Sequence, residues 1–160
     1  MAAGVSLVYN GSVTVTETLA TILATAPVLV YDFLNKSSSY NGATTPAVTK
    51  AAVNSKAMSA GAATIDLTLL ASTNNVNVDM TGLKVQAYKF QNPGANAITV
   101  KNGASTGYLL GGVAWSLTIP PGGEFQGYLN NVSQSVGGTT KNIDISGTGT
   151  DTLNYILVFG

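Results

Sequence analysis

The sequence predicts an all-β fold: a single-domain, antiparallel, jelly-roll-like β-sandwich. Three observations carry this. Apolar and polar residues alternate in several short segments, which puts every second side chain on one face of a strand. Turn residues separate those segments at short intervals. The chain has 160 residues, 45% of them hydrophobic, enough for a core that needs no covalent staple.

The elements follow in chain order. Residues 5–9 read as a first strand. Val15, Leu19, Ile22 and Leu23 fall at helical spacing, with Thr16 as an N-cap and Pro27 beyond the end. The many Thr residues there prefer strands, so a short helix near the N-terminus and a strand both stay open. Residues 28–34 read as a strand, 37–42 as a loop and 47–53 as a strand. Ala63, Ile65, Leu67 and Leu69 alternate with Thr64, Asp66 and Thr68. Leu83, Val85 and Ala87 alternate with Lys84, Gln86 and Tyr88. Residues 97–101 form a further strand, and Val113, Trp115, Leu117 and Ile119 share one face of another. Segments 125–129, 142–146 and 153–159 complete the set.

Turns punctuate these runs. Asn10-Gly11, Asn41-Gly42 and Asn102-Gly103 suit positions of positive φ. Asn92-Pro93-Gly94 separates two strands. Pro120-Pro121-Gly122-Gly123 ends another, because two prolines remove two ladder donors. Gly147, Gly149 and Asp151 mark a turn before the last strand. Residues 1–34 are apolar but poorly patterned for one core, and read as an N-terminal assembly arm or first strands. Residues 35–160 form the sandwich.

Composition narrows the chemistry. Seven basic and seven acidic residues cancel, only 9% of the chain is charged, and Cys and His are absent. Arg is absent too. No thiol or imidazole exists for nucleophilic catalysis or for zinc. No Arg fork exists for phosphate or guanine, and the lysines are scattered, so no nucleic-acid partner is expected. The start Met1-Ala2-Ala3-Gly4-Val5-Ser6 lacks the positive region of a signal peptide. The most apolar stretch, 19–34, is interrupted and too short to span a bilayer, so no membrane partner is expected. A surface of Thr, Ser, Asn, Gly and Ala pairs readily with other subunits, because little charge has to be desolvated.

Candidate sites are few. Asp79 and Asp144 each stand two residues before a Thr or Ser, which is the wrong spacing for an acid-protease turn. No pair among the acids sits in a glycosidase motif. Asp66 and Asp144 read as solvent-face strand residues. Asp144 and Asp151 flank a Gly-rich turn without the ligand density calcium needs. The repeated Ile65-Asp66-Leu67-Thr68, Val78-Asp79-Met80-Thr81 and Ile143-Asp144-Ile145-Ser146 read as Asp side chains closing turns onto nearby donors. No catalytic residue, cofactor or metal is expected. Trp115, Tyr108 and Tyr128, with Tyr88, are candidates for a sugar-stacking face; the competing reading makes Trp115 a core residue beside Val113, Leu117 and Ile119.

A succession of phrases adds a resemblance. They are Thr44-Thr45-Pro46-Ala47-Val48-Thr49-Lys50, Thr64-Ile65-Asp66-Leu67-Thr68, Thr81-Gly82-Leu83-Lys84-Val85-Gln86, Pro120-Pro121-Gly122-Gly123 and Lys141-Asn142-Ile143-Asp144-Ile145-Ser146-Gly147-Thr148-Gly149. Across residues 40–160 their order resembles small virion structural proteins of tailed bacteriophages. The resemblance implies a virion component and leaves head and tail open; the expected one is a capsid decoration, or cement, protein. It would be made in the host cytoplasm and sit on the capsid surface of the virion. Its partners would be the major capsid protein, other virion subunits and copies of itself, with a trimer favoured. The alternatives are a carbohydrate- or receptor-binding module of a phage tail or cell surface, and a major capsid subunit of a small virus.

Overall fold

The computed structural model describes residues 4–12, 15–18, 28–31, 36–71 and 77–160. Strands dominate it: β1 (Ser6–Gly11), β2 (Val15–Thr18), β3 (Val28–Tyr31), β4 (Lys36–Asn41), β5 (Lys50–Ala57), β6 (Ala62–Asp66), β7 (Leu70–Ala71), β8 (Asn77–Val78), β9 (Val85–Gln91), β10 (Ile98–Asn102), β11 (Ser116–Ile119), β12 (Glu124–Tyr128), β13 (Asn142–Ser146) and β14 (Thr152–Phe159).

Two four-stranded antiparallel sheets form the body, in the orders β12-β9-β14-β5 and β11-β10-β13-β6. From β5 onward the chain changes sheet between successive body strands, and stays in one sheet only at the β10–β11 hairpin. That wiring, two interlocked Greek keys closing a two-sheet sandwich, is a jelly roll.

Alternation fixes which residues the sheets share. Ile143 and Ile145 in β13, Ile65 in β6, and Ile98 and Val100 in β10 are buried. Facing them are Leu153, Tyr155, Leu157 and Phe159 of β14, Phe90 of β9 and Ala52 of β5, in one continuous cluster. Each large aliphatic or aromatic side chain there contributes roughly 1.5–3 kcal/mol by leaving water. Asn92, fully buried, stitches the turns at one end. Its Nδ2 donates to the carbonyls of Asn96 (2.8 Å) and Ile119 (3.1 Å), and its Oδ1 accepts from Gly94 N–H (3.0 Å).

β1 and β4 form a ribbon outside the two sheets, from Ser6 opposite Asn41 to Gly11 opposite Lys36. β2 and β3 form a second two-stranded ribbon, from Val15 opposite Tyr31 to Thr18 opposite Val28. Both ribbons precede the sandwich in chain order.

Several expectations need correction. Residues 15–18 are strand, so Thr16 caps no helix; Leu19 to Pro27 lie outside the described residues, as do residues 32–34 of the strand expected at 28–34. The loop expected at 37–42 is β4: its small polar residues give no alternation, and β1 supplies the ladder partners. The β11 strand begins only at Ser116, after a 3-10 turn at Leu110–Gly112, and Val113 is 64% exposed instead of sharing the core face. Val85 and Ala87 do not share a face. The register against β14 slips between Val158 and Phe159, so Val85 joins the main core and Ala87 the opposite side. Such a bulge inverts the alternation beyond it. Positive φ occurs at Asn130, Asn131 and several other glycines, but not at Gly11, Gly42 or Gly103. Gly103 is required by close approach: a Cβ there would meet Asn142 Cβ at 2.7 Å and its carbonyl oxygen at 2.9 Å.

Candidate functional site

The aromatic residues considered for a stacking face lie in different places. Tyr108 is fully buried. Its hydroxyl accepts from Val85 N–H (3.0 Å) and donates to the Gln134 carbonyl (2.7 Å). Trp115 is half-buried and packs on the core, its ring stacked at 6.2 Å and 10° on Phe90. Its Nε1 donates to the Tyr108 carbonyl at 3.0 Å. Tyr88 is half-buried and tilts against Phe90 at 5.3 Å. Tyr128 belongs to a separate outer cluster, stacked on Tyr40 at 4.6 Å and tilted against Tyr9 at 5.9 Å. Burial, together with the neighbouring Tyr40 hydroxyl, pushes the Tyr128 phenol well above its ordinary value. Trp115, Tyr108 and Tyr128 therefore do not make one flat platform.

Asp66, Asp79, Glu124, Asp144 and Asp151 are engaged in structural bonds. Asp66 Oδ1 accepts from Thr68 N–H (2.8 Å) and Thr68 Oγ1 (2.6 Å), and Lys141 Nζ donates to Asp66 Oδ2 (2.7 Å). Burial opposes ionisation of Asp66, but these bonds outweigh it and hold the carboxyl below its usual value. Asp79 repeats the arrangement with Thr81, at 2.8 and 2.6 Å, and those bonds lower its carboxyl too. Asp144 does not close its own turn. It accepts from Thr64 Oγ1 (2.8 Å) and Ala104 N–H (2.9 Å), tying β13 to β6 and to the loop after β10. Glu124 pairs with Lys89 at 2.8 Å, and Asp151 accepts from Asn96 Nδ2 at 3.1 Å. Among the described residues no three acidic side chains gather into a group able to hold a metal ion.

The most developed surface is the outer face of the β12-β9-β14-β5 sheet. Registers place three transverse rows on it. Tyr128, Ala87, Val158 and Ala51 form the first. Gln126, Lys89, Ile156 and Val53 form the second. Glu124, Gln91, Asn154 and Ser55 form the third. The β1–β4 ribbon covers the first row: Leu7, Val5 and Tyr40 pack with Val48, Ala87, Val158, Ala51 and Tyr128 in a second cluster. Gln126 Nε2 donates to the Asn10 carbonyl at 3.0 Å and fastens the ribbon's far end.

The Ile156–Val53 end of the second row stays open. Val53 is 47% and Ile156 38% exposed, and they floor a groove of about 320 Å³ with Lys89, Gln91, Asn154 and Ser55 along it. The third row is a polar ladder: Ser55 Oγ donates to Asn154 Oδ1 (2.8 Å), and Asn154 Nδ2 to Gln91 Oε1 (3.3 Å). This surface can bind by apolar burial with a polar border; it places no general acid beside a nucleophile.

Sequence reasoning missed this strip. The signal was present in residues 153–159, where Leu153, Tyr155, Leu157 and Phe159 face the core while Ile156 and Val158 are apolar on the other side. A strand apolar on both faces is one that both faces cover. Comparison of the chain with protein-family models, with curated proteins and with solved structures returned no match in any of the three.

Proposed function

We propose that the chain is a non-enzymatic virion structural protein of a tailed bacteriophage, a capsid decoration protein that stabilises the head through contacts between subunits. Its partners are the major capsid protein and further copies of itself, with a trimer favoured. The observation that carries this reading is a division of labour within the chain. A jelly roll presents an outer sheet face; the β1–β4 ribbon covers part of it; the adjoining apolar strip at Val53 and Ile156 is left open by the described residues.

Three features support the reading. Jelly rolls recur in capsid and lectin domains, although a fold alone does not decide function. The chain's neutral balance leaves little charge to desolvate at a contact. The carboxylates of Asp66, Asp79 and Asp144 hold turns and strands together. Specific contacts of this kind bury on the order of 1,200–2,000 Å², and such area on a capsid lattice resists rupture.

The test is the protein content of purified virions of the encoding phage, read by quantitative mass spectrometry. Decoration predicts a copy number in fixed proportion to the major capsid protein, and heads that rupture at lower temperature when the protein is stripped. Absence from virions would overturn this reading, and glycan-array binding by the isolated protein would replace it with the carbohydrate-binding one.

A further inference from the structure

Asn10-Gly11, Asn41-Gly42 and Asn102-Gly103 share a chemistry beyond turn formation. In an Asn-Gly pair the glycine backbone nitrogen can attack the side-chain carbonyl carbon of the asparagine. The nitrogen gives its proton to solvent, a five-membered imide closes, and ammonia leaves after taking a proton back. Water then reopens the ring to aspartate, or to isoaspartate, in which the main chain runs on through the former side chain. Glycine favours the step because no Cβ hinders its nitrogen.

The fold treats the three pairs differently. Gly103 is buried, and its N–H donates to the Asn142 carbonyl at 2.9 Å. Asn10 and Gly11 both lie inside β1, paired with β4 as far as Lys36, and extended backbone points a side chain out of the pleat, away from the next nitrogen. Asn41 ends β4, and Gly42 opens the turn after it. Asn41, Gly42 and Ala43 are all exposed. The Gly42 N–H has no hydrogen-bond partner among the described residues. Ala43 N–H donates to Asn41 Oδ1 at 2.8 Å, the atom on which charge develops as the nitrogen adds. The side-chain carbonyls of Asn10 and Asn102 also accept bonds, from Ser37 Oγ and Trp115 N–H, so the free nitrogen is what separates the sites. The backbone does not require glycine at 42: its φ is not positive, and a Cβ there would meet only the Val48 carbonyl oxygen, at 3.9 Å.

We propose that Asn41 is a self-modifying site, converting to aspartate or isoaspartate ahead of the other two pairs and loosening the β1–β4 ribbon when it does. The Asn41 backbone carbonyl accepts from Val48 N–H (3.0 Å), Thr44 N–H (3.3 Å) and Thr44 Oγ1 (2.9 Å). Val48 belongs to the outer cluster that seats the ribbon. In isoaspartate that carbonyl becomes a free carboxylate, and the chain between β4 and Val48 gains one backbone carbon. A chain of zero formal charge also gains a negative one.

The test ages the whole protein in mildly alkaline buffer and cleaves it after lysine. Asn10, Asn41 and Asn102 then fall in separate peptides, 1–36, 37–50 and 102–141, and mass spectrometry follows the exchange of amide for acid in each. Asn41 should convert severalfold faster than Asn10 or Asn102, and the three rates should converge in urea. Gly42→Ala should slow Asn41 severalfold with Trp115 fluorescence unchanged. Equal rates in the folded protein, faster conversion at Asn10 or Asn102, a preference for Asn41 that persists in urea, or an unchanged rate in Gly42→Ala would overturn the proposal. Hydrogen exchange of the aged protein should show protection lost at residues 6–11 and 36–41 and kept in β13 and β14; protection unchanged at the ribbon would overturn the loosening.

Discussion

Tyr108 shows how one side chain joins two layers of the argument. Its ring fills the end of the core, and its hydroxyl satisfies a buried backbone donor at Val85 and a carbonyl at Gln134. Tyr108→Phe keeps the ring and strands both partners. The expected loss is about 1–3 kcal/mol, read as a lower urea midpoint with an unchanged slope; an unchanged midpoint would refute the role given to the hydroxyl. Asp66 makes a pH-dependent contribution. Its folded pKa lies below the unfolded value, so its stabilisation is present above the ordinary carboxylate range and is lost as pH falls through the lowered value. Asp66→Asn should therefore be less stable than the parent near neutral pH, and the gap should close as pH falls through the lowered folded value. A gap that widened in acid would contradict the sign.

At the scale of elements, legibility in the sequence followed the strength of the period-two signal. The strand expected at 142–146 matches Asn142–Ser146, because Ile143 and Ile145 alternate with polar residues and are buried by one core alone. β4 was illegible for the opposite reason: Ser37, Ser38 and Ser39 have no hydrophobic pattern, and only the ladder of β1 makes them a strand. β9 misled because its bulge is a backbone event that moves Val85 and Ala87 to opposite faces. The aromatic candidates misled similarly, since residue type gave Tyr108, Trp115 and Tyr128 a common chemistry while topology gave them separate layers. The outer cluster of Leu7, Tyr40, Ala87 and Val158 is distinct from the main core, which yields a prediction for the β1–β4 ribbon. Leu7→Asp should release β1 and β4 while the sandwich stays folded. Hydrogen exchange should show protection lost at residues 6–11 and 36–41 and retained in β13 and β14, as expected for separate cooperative units. Uniform loss across all strands would show that the ribbon is part of the core.

The two sheets satisfy each other through Phe90, Leu157, Ile145 and their neighbours, and that interior cluster draws on neither β1 nor β4. The β1–β4 ribbon instead sits on one outer face, beside a strip that is apolar and open among the described residues. A chain with this little charge gains from having that face covered, and on the proposed reading a capsid lattice offers repeated copies to cover it. The most direct measurement is co-sedimentation of the purified protein with emptied or expanded heads of the encoding phage, alongside a variant lacking residues 1–15. The parent protein should bind saturably and raise the temperature of head rupture, while the shortened protein keeps its fold and stays in the supernatant. A parent protein that remains in the supernatant at every concentration would contradict the account.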